Sequence, residues 1–279
     1  MPDPHGTEQS KPQPAPVETQ TVRSADGTQI GFARIGFGPV PLVIVHAALN
    51  SAKQWLSVAE ALAEHCTCYV MDRRGRGRSG DAEAYVFDRE IEDIIAVLQA
   101  AGPDAFLMGH SSGAVYALEA ARRQSIAGLV LYEPPLHVQR QFKEIFDRIR
   151  PLMQQERFDD AVTLFFREEA GVPEEQLSVL RSTPLWRHMV KLAPTADREW
   201  EALLEAGLKV ERFREVSTPT LLLTGTLTKD HTSFATKALQ RTLPDAQTVL
   251  LEGQAHSAHR AAPELVATEV ADFIGAVRP

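Results

Sequence analysis

The sequence predicts an α/β protein: a mostly parallel eight-stranded sheet flanked by helices, with an all-helical insertion. Three observations carry that expectation. Short, continuously apolar runs such as Pro41-Leu42-Val43-Ile44-Val45 alternate with helix-forming segments, as in parallel strands covered on both faces and joined by right-handed crossovers. A Gly-x-Ser-x-Gly pentad, Gly109-His110-Ser111-Ser112-Gly113, lies between an apolar run and a helix-forming one. From about Leu136 to Phe213 the alternation stops and no strand candidate occurs.

Taken in order, residues 1–16 carry five prolines without apolar periodicity and read as a disordered leader. Val17 to Arg23 and Gln29 to Ile35 flank an Asp26-Gly27 turn signal, so the domain opens with an antiparallel pair. The strand Pro41 to Val45, a helix over Ser51 to His65 and the strand Thr67 to Met71 follow. A loop rich in glycine and arginine, Asp72 to Gly80, leads to a helix around Asp88 to Ala100. Next come the strand Ala105 to Met108, the Ser111 turn, a helix to Arg123 and the strand Ile126 to Tyr132. Prolines at 151, 173, 184 and 194 divide the strandless stretch into about four helices. The sheet resumes at Thr220 to Thr224, followed by a helix over Thr232 to Leu243, the strand Thr248 to Leu251 and a last helix from Pro263 to Val277. The expected division is a core of 17–135 and 214–279, with a helical cap over 136–213.

Composition narrows the function. With 279 residues, 44% of them hydrophobic, the chain can bury a substantial core. A net charge of −8 argues against a nucleic-acid partner, whose phosphates need a basic face. No apolar run approaches the roughly 20 residues of a membrane helix, and the first residues lack an apolar signal core, so a cytoplasmic protein without membrane insertion is expected. Cys66 and Cys68, the two cysteines, stand at i and i+2 on one strand face and are expected to pack in the core. No metal cluster or dinucleotide fingerprint occurs, and no cofactor is expected. A small molecule is the expected partner of a monomer or homodimer.

At the pentad, a central serine in a tight strand-to-helix turn takes a strained backbone angle, and side chains two residues either side would strike neighbouring backbone. Ser111 then stands at the positive end of the helix, where an alkoxide or oxyanion is favoured.

The order of elements and four motifs together resemble the α/β-hydrolase superfamily, in its serine-nucleophile branch with a helical lid. The motifs are His46-Ala47-Ala48 after the third strand, Asp72 to Ser79 after the fourth, the Ser111 pentad after the fifth, and Gly253-Gln254-Ala255-His256 before the last helix. The resemblance runs from Val17 to the end, and Leu131 to Pro135 with the helical insertion is similar to bacterial members. One departure is Ala47, where family members usually carry glycine.

The resemblance implies the chain order serine, acid, histidine. Ser111 is the expected nucleophile and His256 the base, with His259 as the alternative and His231 after the wrong strand. The acid stays open between Glu133, directly after the strand ending at Tyr132, and Asp230, displaced by two positions from the usual site at Gly225 plus three, which is Thr228. Glu133 is favoured. The oxyanion hole is expected from the backbone N–H groups of Ala48 and Ser112. His46, Ala47, His110, Phe142, Phe146 and Trp186 are the expected pocket lining, with His110 also packing beneath the sheet and His46 bonding within its turn. The arginines of the Arg73 to Arg78 loop are expected to brace it through Asp72 and backbone carbonyls.

These residues imply a cofactor-free serine hydrolase forming an acyl-enzyme on an ester, thioester, lactone or activated carbon–carbon bond. A roof rich in aromatic residues favours an apolar or aromatic substrate. A lyase or perhydrolase on the same triad, or a non-catalytic binding protein of this fold, are the alternatives.

Overall fold

The computed structural model describes residues 17–136 and 139–278; the leader expected over 1–16 lies outside the described residues, as do the side chains of 137–141 and 230–232. Eight strands form one sheet: β1 (Val17–Arg23), β2 (Gln29–Ile35), β3 (Val40–Val45), β4 (Cys66–Met71), β5 (Phe106–His110), β6 (Gly128–Tyr132), β7 (Thr220–Gly225) and β8 (Ala246–Leu251). Their order is β1-β2-β4-β3-β5-β6-β7-β8. β1 with β2 and β2 with β4 are antiparallel, and the remaining neighbours run parallel.

Alternation along the central strands feeds two cores. On β3, Val43 and Val45 point to one face and Leu42 and Ile44 to the other, all fully buried. The first face is covered by α2 (Phe87–Ala101) and α3 (Ser112–Arg123), whose apolar residues join the same cluster. The second is covered by α1 (Leu56–Ala61) and the last helix, Pro263–Val277. Cys66 and Cys68 are free and buried in this second core, side by side on β4 as their spacing predicts. The expected helix over 51–65 is shorter: a 3₁₀ turn, Ala52–Trp55, precedes α1.

Between β6 and β7 the chain is helical: α4 (Gln139–Gln154), α5 (Phe158–Leu164) with a π-helical turn at Phe165–Glu169, α6 (Glu174–Arg181), α7 (Pro184–Lys191) and α8 (Ala193–Ala206). Pro173, Pro184 and Pro194 stand at helix N-termini, where a missing N–H costs nothing. Pro151 does not divide the segment as expected. It lies inside α4, three residues from its end, and the break before α5 falls at 155–157 without a proline; the described residues of this segment hold five α-helices where about four were expected. Phe142, Phe146, Phe165, Phe166, Trp186 and Trp200 build this segment's own core, which Leu49 and Ala48 of the loop after β3 also join. Phe213, at the end of the expected cap, packs into the first core of the sheet.

The segment is tied to loops at the carboxyl ends of the parallel strands. Glu199 of α8 pairs with Arg73 and Arg76 of the loop after β4, all three side chains being fully buried. Lys229, which precedes α9 (Asp230–Thr242), reaches the carbonyl of Glu168. Ligand sites of parallel α/β sheets lie at this edge.

Candidate active site

Ser111 follows β5 directly and precedes the first turn of α3. Its φ of 52° and ψ of −125° lie in a region that non-glycine residues rarely adopt, as the pentad predicts. The flanking glycines are forced by close backbone approach. A Cβ on Gly109 would come 2.5 Å from Ala114 Cα, and one on Gly113 would come 2.5 Å from the Val45 carbonyl oxygen. The Ser111 N–H donates to the Tyr132 carbonyl at 2.9 Å, fixing the turn against the end of β6.

Glu133 comes next after Tyr132, also with a positive φ, 50°, and a fully buried side chain. Its Oε2 lies 2.6 Å from His256 Nδ1. Its Oε1 accepts from the Gly225 N–H at 2.9 Å, from Thr224 Oγ1 at 3.4 Å and from Thr228 Oγ1. Burial pushes this carboxyl up, but the hydrogen bond and charge of His256, with the donors from Gly225 and Thr228, outweigh it and hold it below its usual range. A carboxylate can only accept, so the nitrogen of His256 that faces it, Nδ1, is the donor of this contact. Thr228, the position at which an acid is usual, thus donates to the acid that stands on the neighbouring strand. The side chain of Asp230, the alternative acid, lies outside the described residues; its backbone opens α9.

The loop bearing His256 is held by β5 and β6. Tyr132 Oη accepts from the Ala258 N–H at 3.0 Å and donates to the Ala255 carbonyl. His110 Nε2 donates to the His256 carbonyl at 3.0 Å, and the two rings are 4.6 Å apart. Burial holds His110 well below the ordinary histidine value, so it is neutral. His259, the alternative base, is 1% exposed and stacks on Trp55 at 4.7 Å; burial lowers it to about 3. It packs in the core, while the His256 side chain is 41% exposed.

Several expected pocket residues do not form an open wall. His46 is fully buried, bonded through Nδ1 to the Ala47 carbonyl and through Nε2 to the Arg73 N–H. His110 stacks on Tyr132 beneath the sheet edge. Phe146 and Trp186 are at most 2% exposed, because five short helices need a core of their own; Trp186 Nε1 donates to Asp159. Ala47 is buried too, and Phe142 is half-buried against Phe146 and Trp200.

The arginine loop is braced mainly by buried carboxylates that sequence spacing does not reveal. Arg73 pairs with Glu90 through two nitrogens, at 2.9 and 2.8 Å, and Arg74 pairs likewise with Asp93, both at 2.8 Å. Asp72 accepts from the Ala52 and Arg78 N–H groups, as expected of a bracing residue. Of the two expected oxyanion donors, the Ala48 N–H donates to Ser112 Oγ at 2.8 Å. Among the described residues no group of three or more His, Cys, Asp or Glu side chains is arranged to hold a metal ion, and no helix is long and apolar enough to cross a membrane.

This combination of sheet order, serine turn and buried carboxylate–histidine pair defines a class. A profile of the alpha/beta hydrolase family matches residues 42–269, and the chain belongs to that family. It is 37% identical over 118 residues to the N-formylmaleamate deformylase of Pseudomonas putida, a match covering 40% of this chain and 44% of that protein. It is 23% identical over 251 residues to the 2-(acetamidomethylene)succinate hydrolase of Mesorhizobium japonicum, covering 86% and 90% of the two chains. Among solved structures, an alpha/beta hydrolase from Sphaerobacter thermophilus aligns with a TM-score of 0.82 at 36% identity, over 91% of this chain and all of that one. An esterase from Rhodococcus sp. shares the fold, with a TM-score of 0.72 at 24% identity, over 93% of this chain and 99% of that one.

Proposed function

We propose that the protein is a serine hydrolase that cleaves an ester of a mainly apolar or aromatic small molecule through an acyl-enzyme, with Ser111 as nucleophile, His256 as base and Glu133 as acid. The observation that carries this reading is the short contact between Glu133 and His256 Nδ1, on a loop whose His256 carbonyl is bonded to His110, the residue before Ser111; a neutral His256 oriented in this way would offer Nε2 as the base. In the first half-reaction Ser111 Oγ attacks the carbonyl carbon, its proton passes to His256 Nε2, and the leaving alkoxide takes that proton as the acyl–oxygen bond breaks. Glu133 stays ionised and stabilises the imidazolium. A water repeats the sequence on the acyl-enzyme and releases the acid.

The apolar preference rests on the helical segment, whose core reaches the loop after β3 through Ala48 and Leu49 and so brings an apolar layer over the carboxyl edge. A second reading, cleavage of an amide-type carbon–nitrogen bond, is supported by the names of the two curated relatives, a deformylase and an acetamidomethylene hydrolase. Turnover of matched p-nitrophenyl esters and acylanilides by the wild type and Ser111→Ala tests both. Ester cleavage that rises from acetate to medium-chain or aryl acyl groups and vanishes in Ser111→Ala is expected. A flat or inverted acyl series removes the apolar preference, faster anilide cleavage favours the second reading, and undiminished Ser111→Ala activity refutes the nucleophile.

A further inference from the structure

Ser112 contributes more than a backbone N–H. Its side chain is 4% exposed, and its Oγ accepts from the Ala48 N–H at 2.8 Å and from Arg73 Nη1 at 3.4 Å. A hydroxyl has two lone pairs and one proton, and these two donors occupy both lone pairs. Among the described residues no acceptor takes the proton. The Ala48 N–H, expected to bind the developing oxyanion, is spent on this hydroxyl, so a substrate oxygen approaching along that N–H meets Ser112 Oγ first.

We propose that the Ser112 hydroxyl is itself an oxyanion donor, relaying the Ala48 N–H and the Arg73 guanidinium to the substrate oxygen. This rests on the acyl-enzyme reading above. The Ser112 N–H and O–H together then supply the two donors that the chemistry needs. Arg73 is suited to polarise the relay. It is fully buried, held by Glu90 and Glu199, cannot lose its proton, and also reaches the His46 carbonyl at 3.4 Å, which anchors the Ala48 loop. Because donors on both sides fix the hydroxyl, its proton is pre-aimed before the substrate arrives, which is what makes such donors effective.

The alternative is that the hydroxyl merely blocks Ala48 and must rotate away. Ser112→Ala separates the two, because alanine keeps the helix and the Ser112 N–H while freeing the Ala48 N–H. With a p-nitrophenyl ester, the relay predicts a loss in kcat on the order of 10² with KM little changed, the effect of removing one oxyanion donor. It also predicts weaker inhibition of Ser112→Ala by an arylboronic acid, whose tetrahedral adduct on Ser111 mimics the oxyanion. Ser112→Thr, which retains the hydroxyl, should recover most of the kcat. An unchanged or raised kcat in Ser112→Ala, unchanged boronate inhibition, or Ser112→Thr as impaired as Ser112→Ala overturns the relay. Full activity of Ser111→Ala would instead defeat the underlying acyl-enzyme reading, so the two failures are distinguishable.

Discussion

Replacing Glu133 by glutamine tests how the site sets the state of its histidine. Glutamine keeps the shape of the side chain but exchanges one oxygen for an NH₂ group. Glu133 Oε1 receives the Gly225 N–H at 2.9 Å and the Thr228 hydroxyl, so the amide oxygen of a glutamine must stay there to avoid setting donor against donor. The NH₂ group then faces His256 Nδ1 and forces it to accept, which moves the ring proton to Nε2. A protonated Nε2 cannot take the Ser111 proton. Loss of the correct tautomer costs on the order of 10⁴ in kcat in comparable triads, or about 5.4 kcal/mol of barrier. Stopped assays with a p-nitrophenyl ester read the loss, and thermal melting checks that the variant folds. The measurement is run beside Asp230→Asn, which should retain activity within a few fold. Near-wild-type turnover by Glu133→Gln, or a crippled Asp230→Asn, would refute the assignment.

Further consequences follow from the same contacts. Thr228→Val removes a hydroxyl donor from Glu133 and should lower kcat on the order of tenfold, since a hydrogen bond to a charged group contributes about 1.5–3 kcal/mol, part of which water restores; full activity would show that the acid does not depend on it. Tyr132→Phe deletes the hydroxyl joining the Ala255 carbonyl and Ala258 N–H, and should lower both kcat and the rate of phosphonate labelling while the protein stays folded; an unaffected labelling rate would show that the His256 loop holds its place unaided. Glu119 accepts from Arg122, Arg123 and Arg212; burial pushes its carboxyl up, but these arginines outweigh it and lower it from 4.5 to about 2. Its contribution to stability is therefore full above pH 4.5 and is lost as the pH falls toward about 2. Melting temperatures of wild type and Glu119→Gln should differ at pH 7 and converge across that window, and a constant difference would contradict the reading.

What the sequence reveals and conceals divides by range. The serine turn is written locally, because the two glycines and the adjoining apolar and helical runs are contiguous. The histidine and the favoured acid are legible because each sits at the end of a recognisable strand, one residue past Tyr132 or five past Leu251. The partner of Thr228 is not legible, since Glu133 is 95 residues away and meets it only because β6 pairs with β7. The arginine loop invites a local explanation, yet its buried partners, Glu90, Asp93 and Glu199, come from α2 and α8, whose placement no local pattern states. Phe146 and Trp186 have the composition of a pocket wall and of a small core alike, and packing among the short helices decides for the core. Pro151 reads as a helix break but lies inside α4, three residues before its end, so a proline does not mark the boundary there.

The most direct test of the central claim is a crystal structure of the protein after reaction with an alkyl fluorophosphonate. The expected result is phosphorus bonded to Ser111 Oγ, His256 Nε2 facing the adduct, and the Glu133 carboxylate on His256 Nδ1. Covalent density on another residue, or an adduct whose histidine is paired with Asp230 in place of Glu133, would contradict it.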